Sequence, residues 1–129
     1  MKIEHIAIWV EDLEKMKSFY QFYFQGQSNK IYHNPKKKFS SYFISFDGEC
    51  RIELMHNPSI LNLKKENRAS FLGIVHFAIS VGSKKQVDQL TQQLENDGYT
   101  VISQPRTTGD GYYESVVLDP ENNPIEITI

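Results

Sequence analysis

Apolar and polar positions keep two rhythms along this chain. "IEHIAIWV" (3–10) alternates every second residue, the spacing of a strand with one face buried. In "EDLEKMKSFYQFYF" (11–24) the period changes: Leu13, Met16, Phe19, Tyr20 and Tyr23 recur at three- and four-residue steps. That predicts an amphipathic helix, with Glu11 or Asp12 at its N-terminus, where the backbone dipole favours a negative charge. A polar stretch follows, then a strand at "SYFISF" (41–46), a turn at Asp47-Gly48 and a strand at "RIELMH" (51–56). Asp-Gly between two alternating runs is a hairpin signal.

The same order returns from Gly73. "GIVHFAISV" (73–81) reads as a strand. Ser83 and Gln86 form a capping-box pattern opening a helix whose stripe is Val87, Leu90 and Leu94, with Gly98 as the stop. Strands are expected at "YTVI" (99–102), "YYESVVL" (112–118) and "IEITI" (125–129), with "DPENNP" (119–124) turning between the last two. The unit is therefore strand, helix and about three strands, performed twice. His5 and His76 occupy matching places, as do Glu53 and Glu126; His5 to Glu53 spans 48 positions and His76 to Glu126 spans 50. The fold class expected is α+β, two βαβββ modules (1–56 and 73–129) joined by a linker at 57–72 within a single domain, 1–129. A repeat of this length exceeds a solenoid unit.

Parity assigns the faces, because successive strand side chains point opposite ways. His5, Ala7 and Trp9 share one face, opposite Ile6, Ile8 and Val10; Arg51, Glu53 and Met55 oppose Ile52 and Leu54. His76, Ala78 and Ser80 oppose Val75, Phe77, Ile79 and Val81; Glu126 and Thr128 oppose Ile125, Ile127 and Ile129. The apolar faces call for the two helices as cover. The other faces carry a single His or Glu each. Taken one at a time, these are ordinary solvated strand residues. Taken as four at matched positions, two imidazoles and two carboxylates suit a divalent ion such as Zn, Ni, Fe or Mn.

Composition adds limits rather than chemistry. A net charge of −2 and one basic run, Lys36-Lys37-Lys38, point away from nucleic acid. The single cysteine, Cys50, has no intramolecular partner, which fits a reducing compartment, and is expected to be a buried or half-buried inert thiol. No apolar run approaches the ~20 residues of a membrane span, and no signal peptide is read at the N-terminus; a cytoplasmic protein is expected.

"IEHIAIWVEDLEKMKSFY", "VHFAISV" and "VVLDPENNPIEIT" together resemble the vicinal-oxygen-chelate superfamily (the glyoxalase, bleomycin-resistance and extradiol-dioxygenase group) over essentially the whole chain. The resemblance implies a half-open mixed β-barrel with the helices packed outside, and a metal held by His5, Glu53, His76 and Glu126. That ligand order resembles bacterial-type glyoxalase I. It implies a lyase or isomerase that moves a proton through an enediolate stabilised by a divalent metal, Ni or Zn first, with Fe, Mn or Co as alternatives. Glu126 is then the first choice for the base, with Glu53 as its partner. It also implies a homodimer in which the site is shared between chains. Metal-dependent thiol transferases and extradiol dioxygenases on the same fold, and non-catalytic antibiotic binders, are the alternative functions. The first two resemble a three-ligand arrangement and the last generally lacks the ligands.

Three further residues bear on substrate. Bacterial-type glyoxalase I places an arginine four residues after the first histidine to bind a glutathione carboxylate; Trp9 stands there, so a substrate not based on glutathione is implied. The indole suits either an aromatic or apolar substrate portion or plain packing. Asn57 matches a glutathione-contacting position. Arg106, in "PRTTGDGYYE" (105–114), would meet an anionic group if that segment is a lid, and is a turn residue if it is an ordinary hairpin. His33 and His56 are expected at the surface or behind the ligands.

Overall fold

The computed structural model describes residues 1–61 and 72–129, which form two compact units on either side of the gap between those ranges. Most of the expected linker, 57–72, lies outside the described residues.

The first unit runs β1 (His5–Trp9), α1 (Leu13–Phe24), β2 (Gln27–Ser28), β3 (Tyr32–Asn34), β4 (Phe39–Ser45) and β5 (Arg51–His56). Its sheet has the order β1-β5-β4-β2, with β3 also on β4. β1 lies parallel to β5, and the β4–β5 pair is antiparallel. Asp12 caps α1, its side chain accepting from the Lys15 N–H at 3.0 Å. At the other end Gln25 turns left-handed (φ 55°) and the Gly26 N–H closes onto the Tyr20 carbonyl at 3.1 Å. Gly26 is needed for a close approach: a Cβ there would sit 2.5 Å from Ile44 Cγ2.

The stripe read from the sequence holds in outline. Met16, Phe19, Tyr20 and Phe24 are the buried residues of α1. They pack against β4 and β5, where Tyr42, Ile44, Ile52 and Leu54 are buried in turn. Each fully buried aliphatic contributes about 1.5–3 kcal/mol to folding.

The second unit repeats the plan: β6 (Phe77–Ser80), α2 (Lys84–Asn96), β7 (Val101–Thr107), β8 (Tyr113–Leu118) and β9 (Pro124–Thr128), with sheet order β6-β9-β8-β7. β6 and β9 are parallel, the other pairs antiparallel. Ser83 caps α2 by accepting from the Gln86 N–H, and its own hydroxyl donates to Gln86 Oε1. Gly98 (φ 89°) ends the helix, with the Tyr99 N–H returning to the Leu94 carbonyl at 2.9 Å. Val87, Thr91 and Leu94 are buried against the sheet residues Val117, Ile125 and Ile127. Thr91 Oγ1 donates to the Val87 carbonyl, so the buried Ser115 hydroxyl donates to Thr91, at 2.6 Å.

The two βαβββ modules are therefore present, in an α+β fold with two mixed sheets. The structure departs from the sequence reading in detail. β2 and β3 interrupt the expected polar stretch. The Asp47-Gly48 signal sits in a five-residue connection, 46–50, between β4 and β5 rather than in a tight two-residue turn. Gly48 is not among the residues with positive φ, which a type I′ turn requires. β6 begins one residue after His76. The segment 105–114 forms an ordinary hairpin: β7 runs to Thr107, which faces Tyr113 across the β7–β8 pair. Its turn is tied by Thr108 to Tyr112 and by Gly111 to Thr108. Cys50 is exposed, not buried, because it lies in the 46–50 connection beyond the end of the sheet. Among the described residues, no helix is long and apolar enough to cross a membrane.

Candidate metal centre

In each unit the parallel pair brings one histidine to one glutamate. In the register of the first sheet Ala7 lies opposite Glu53, and in the second Ala78 lies opposite Glu126, so each histidine stands two residues before the alanine beside its glutamate. The small alanine side chain leaves the face open between them. His5 Nε2 lies 3.8 Å from Glu53 Oε2, and His76 Nε2 lies 3.3 Å from Glu126 Oε2. The pairs are alike in setting too. The histidine side chains are 39% and 38% exposed and the glutamates 16% and 17%, so each imidazole stands at the rim of a half-buried carboxylate.

Two donors on one ion, each bound at about 2.0–2.2 Å, stand roughly 2.9–3.5 Å apart. The His76–Glu126 spacing meets this and the His5–Glu53 spacing exceeds it by a few tenths of an ångström. Nitrogen and carboxylate oxygen are also the donor types a borderline divalent ion takes. Both pairs thus have the donor types for a divalent ion, and the His76–Glu126 pair has the spacing as well. Among the described residues, no group of three or more His, Cys, Asp or Glu side chains is arranged to hold a metal ion by itself.

The Glu126 carboxyl is perturbed by its surroundings. Burial pushes its carboxyl above the usual carboxylate range, and the neighbouring Glu114 pushes it the same way, while His76 opposes both. A carboxylate with raised proton affinity is the better base near neutrality. Glu126 is delivered by the turn after β8, where the buried Asp119 carboxylate accepts from the Glu121 N–H (2.9 Å), the Asn123 N–H (2.8 Å) and Asn123 Nδ2 (2.7 Å). Asn122 takes a left-handed conformation (φ 65°) within that turn.

Two residues at these pairs escaped the sequence reading. Glu114 shares the Glu126 face, since Val116 lies directly opposite Glu126 and Glu114 is two residues before it. Strand parity within "YYESVVL" held that signal. Glu4 also approaches one of the two histidines: its carboxylate accepts from His5 Nδ1 and pairs with Arg51. Parity places Glu4 on the opposite face, so only the register across 47 positions reveals the contact.

The remaining candidates take varied places. Trp9 is on the His5 face, 45% exposed and edge-on to Phe39, whose ring also meets Tyr32. Asn57 closes the end of β5, its amide oxygen accepting from Ser59 and its Nδ2 donating to the Lys37 carbonyl. Arg106 donates to Ser103 Oγ at 2.8 Å and lies 3.6 Å from Glu114. His33 pairs with Ser40 and His56 with the Val10 carbonyl.

Residues 2–127 match the family model described as the Glyoxalase/Bleomycin resistance protein/Dioxygenase superfamily. An uncharacterized protein of Bacillus subtilis (strain 168), YqjT, is 30% identical over 128 residues, covering 97% of this chain and 96% of its own. The fold is similar to that of the trypanothione-dependent glyoxalase I of Leishmania major (TM-score 0.78, 21% identity, 99% of this chain and 86% of that one). It is also similar to glyoxalase I of Zea mays (TM-score 0.77, 20% identity, 98% of this chain), of whose chain it spans only 44%. A glyoxylase/bleomycin resistance protein/dioxygenase domain from Frankia sp. EAN1pec gives a TM-score of 0.82 at 18% identity, covering 100% of this chain and 97% of that one. The chain belongs to the glyoxalase/bleomycin resistance/dioxygenase superfamily.

Proposed function

We propose that this protein is a divalent-metal-dependent lyase or isomerase of glyoxalase type, acting on a small molecule with oxygens on adjacent carbons. The observation that carries the reading is the repeated pair, an imidazole Nε2 aimed at a half-buried carboxylate once in each unit. His5, Glu53, His76 and Glu126 are the proposed ligands, with the metal held within one chain or shared across a homodimer. Ni or Zn suits the set best, and Fe, Mn or Co is compatible with it. When bound, the ion supplies Lewis-acid stabilisation of negative charge developing on the substrate oxygens.

The chain's own residues supply the proton transfer. Glu126 removes the proton from the carbon beside a carbonyl and returns it to the neighbouring carbon. The hydroxyl proton passes to the other oxygen, so the reaction balances without oxidant or reductant. Glu53 is the partner carboxylate on the other side. Burial first, and then the nearness of Glu114, raise the proton affinity of Glu126, which supports its role as the base. Trp9 offers an aromatic surface to an apolar substrate portion, and Asn57 and Arg106 are the polar contacts. With an indole where a carboxylate-binding arginine would serve glutathione, a different thiol adduct or a thiol-free substrate is favoured.

Metal content after purification without added metal, followed by titration with Ni, Zn and Co, tests the reading. Uptake near one equivalent per site is expected. Failure of all three to bind sinks it and leaves a non-catalytic small-molecule binder. Glu126→Gln is expected to abolish turnover of hemithioacetals made with glutathione or other small thiols; full retained activity removes Glu126 as the base.

A further inference from the structure

We propose that Glu4, braced by Arg51, is a positioning residue that holds the His5 proton on Nδ1 and so presents the Nε2 lone pair to the Glu53 side. The inference rests on the metal-dependent reading above for its purpose, and on the structure of the first unit for its content.

The imidazole of His5 is engaged on two sides. Its Nδ1 meets Glu4 Oε2, and the ring stands edge-on to Phe43 with centroids 5.4 Å apart. Glu4 is itself held: its other oxygen pairs with Arg51 Nη2, and its backbone carbonyl accepts from the Arg51 N–H at 3.1 Å. Arg51 is in turn fixed over the Phe43 ring, 4.1 Å from the centroid, and lies beside His5 in the strand register. Each member of this bracket therefore has two constraints.

The chemistry follows from the donor inventory. An ionised carboxylate only accepts, so the hydrogen at the Glu4–His5 contact belongs to Nδ1. A neutral imidazole carries one ring proton, and Nε2 is left with a lone pair. That lone pair faces a second acceptor, Glu53 Oε2, at 3.8 Å. Two acceptors facing each other are unfavourable unless a cation lies between them. A carboxylate behind a ligating histidine sets its tautomer, orients the ring and raises its basicity, and losing such a partner costs about 10–100-fold in metal affinity.

Among the described residues, the second unit has no such bracket. The positions matching Glu4 and Arg51 are Val75 and Pro124, neither of which can hold a ring proton or a carboxylate. The two histidines are thus unequal: His5 is preset by its bracket, while His76 stands just before β6 and faces Glu126. The bracket is a property of this chain's first unit, not of the repeat.

The experiment uses the full-length, metal-free protein labelled with ¹⁵N, at a pH well above the ordinary histidine value of about 6.5. Long-range ¹H–¹⁵N correlation of the imidazoles reports which ring nitrogen carries the proton. Wild-type His5 is expected as the Nδ1–H form. In Glu4→Gln, Arg51 retains the amide oxygen and turns the NH₂ toward Nδ1, so His5 is expected to switch to the Nε2–H form. Zinc affinity by competition titration should fall about 10–100-fold in that variant, with thermal stability kept within a few degrees. Arg51→Gln, which frees Glu4 without removing it, should give a mixed tautomer and an intermediate affinity. An Nε2–H His5 in the wild type, or an unchanged tautomer in Glu4→Gln, overturns the proposal. If wild-type His5 is Nδ1–H and switches as described but no metal binds, the metal-dependent reading falls and the orienting role of Glu4 stands.

Discussion

Asp119 is the residue on which the delivery of Glu126 depends, and replacing it with alanine measures that dependence. Its side chain is 3% exposed and accepts from two backbone N–H groups and one side-chain amide. Alanine leaves the Asn123 N–H and Nδ2, in a residue only 5% exposed, without an acceptor, while the half-buried Glu121 N–H can turn to water. Two orphaned buried donors at about 1–3 kcal/mol each give a loss of roughly 2–6 kcal/mol. Against a total of about 5–15 kcal/mol, that is a large share. In urea, with a slope of about 1–3 kcal/mol/M, the midpoint should fall by roughly 2 M with the slope unchanged. Asp119→Asn should cost less, about 1–2 kcal/mol, since its carbonyl can still serve the backbone donors and the Asn123 amide can flip to meet its NH₂. A loss under about 1 kcal/mol for the alanine variant would refute the reasoning, because buried donors would then have found other acceptors.

Two more perturbations probe the first unit. Gly26→Ala drives a methyl against the fully buried Ile44, and overpacking of this kind costs about 1–3 kcal/mol; an unchanged melting temperature would contradict the close approach. Glu14 accepts from Lys17 and from the Tyr42 hydroxyl (2.6 Å), and these bonds hold its carboxyl below the ordinary value of 4.5. A lowered folded value means the stabilisation is present above that ordinary value and is lost as pH falls through the folded one. Wild type should therefore be more stable than Glu14→Gln at neutral pH, and the gap should close on acidification below 4.5; a gap independent of pH would show that the charge plays no part.

Most of the frame could be read from the chain because its signals are local or periodic. Asp12, Ser83 and Gly98 cap or stop helices through contacts within a few residues, and strand parity put His5 and Glu53 on one face without any knowledge of their distance. What escaped had no such signal. β2 and β3 are two and three residues long and polar, too short for alternation to register. β7 extends past "YTVI" through Pro105, with register shifts at Val101/Ser103 and Ser103/Arg106 that break its period. Cys50 departs from the usual burial of thiols because it falls in a connection beyond the sheet. Glu114 is legible by parity, two residues before Val116 on the same strand. Glu4 was not legible, because its side chain turns back around the strand end to His5 and Arg51.

The parallel pairing of β1 with β5 also governs the order in which the first unit assembles. β4 and β5 are joined by residues 46–50, and hairpins of that kind form in about 1–10 μs. β1 reaches β5 only after residues 10–50 have been looped between them, a closure that depends on the hairpin already being there. Glu53 is therefore set on its hairpin first, and His5 arrives late. The second unit follows the same sequence, with Glu126 on the β8–β9 hairpin ahead of β6. A nascent chain offers isolated carboxylates, which hold divalent ions weakly, and completes each imidazole–carboxylate pair only as its last parallel strand docks. Any ion bound by such pairs would act mainly as a brake on unfolding and leave the rate of folding little changed.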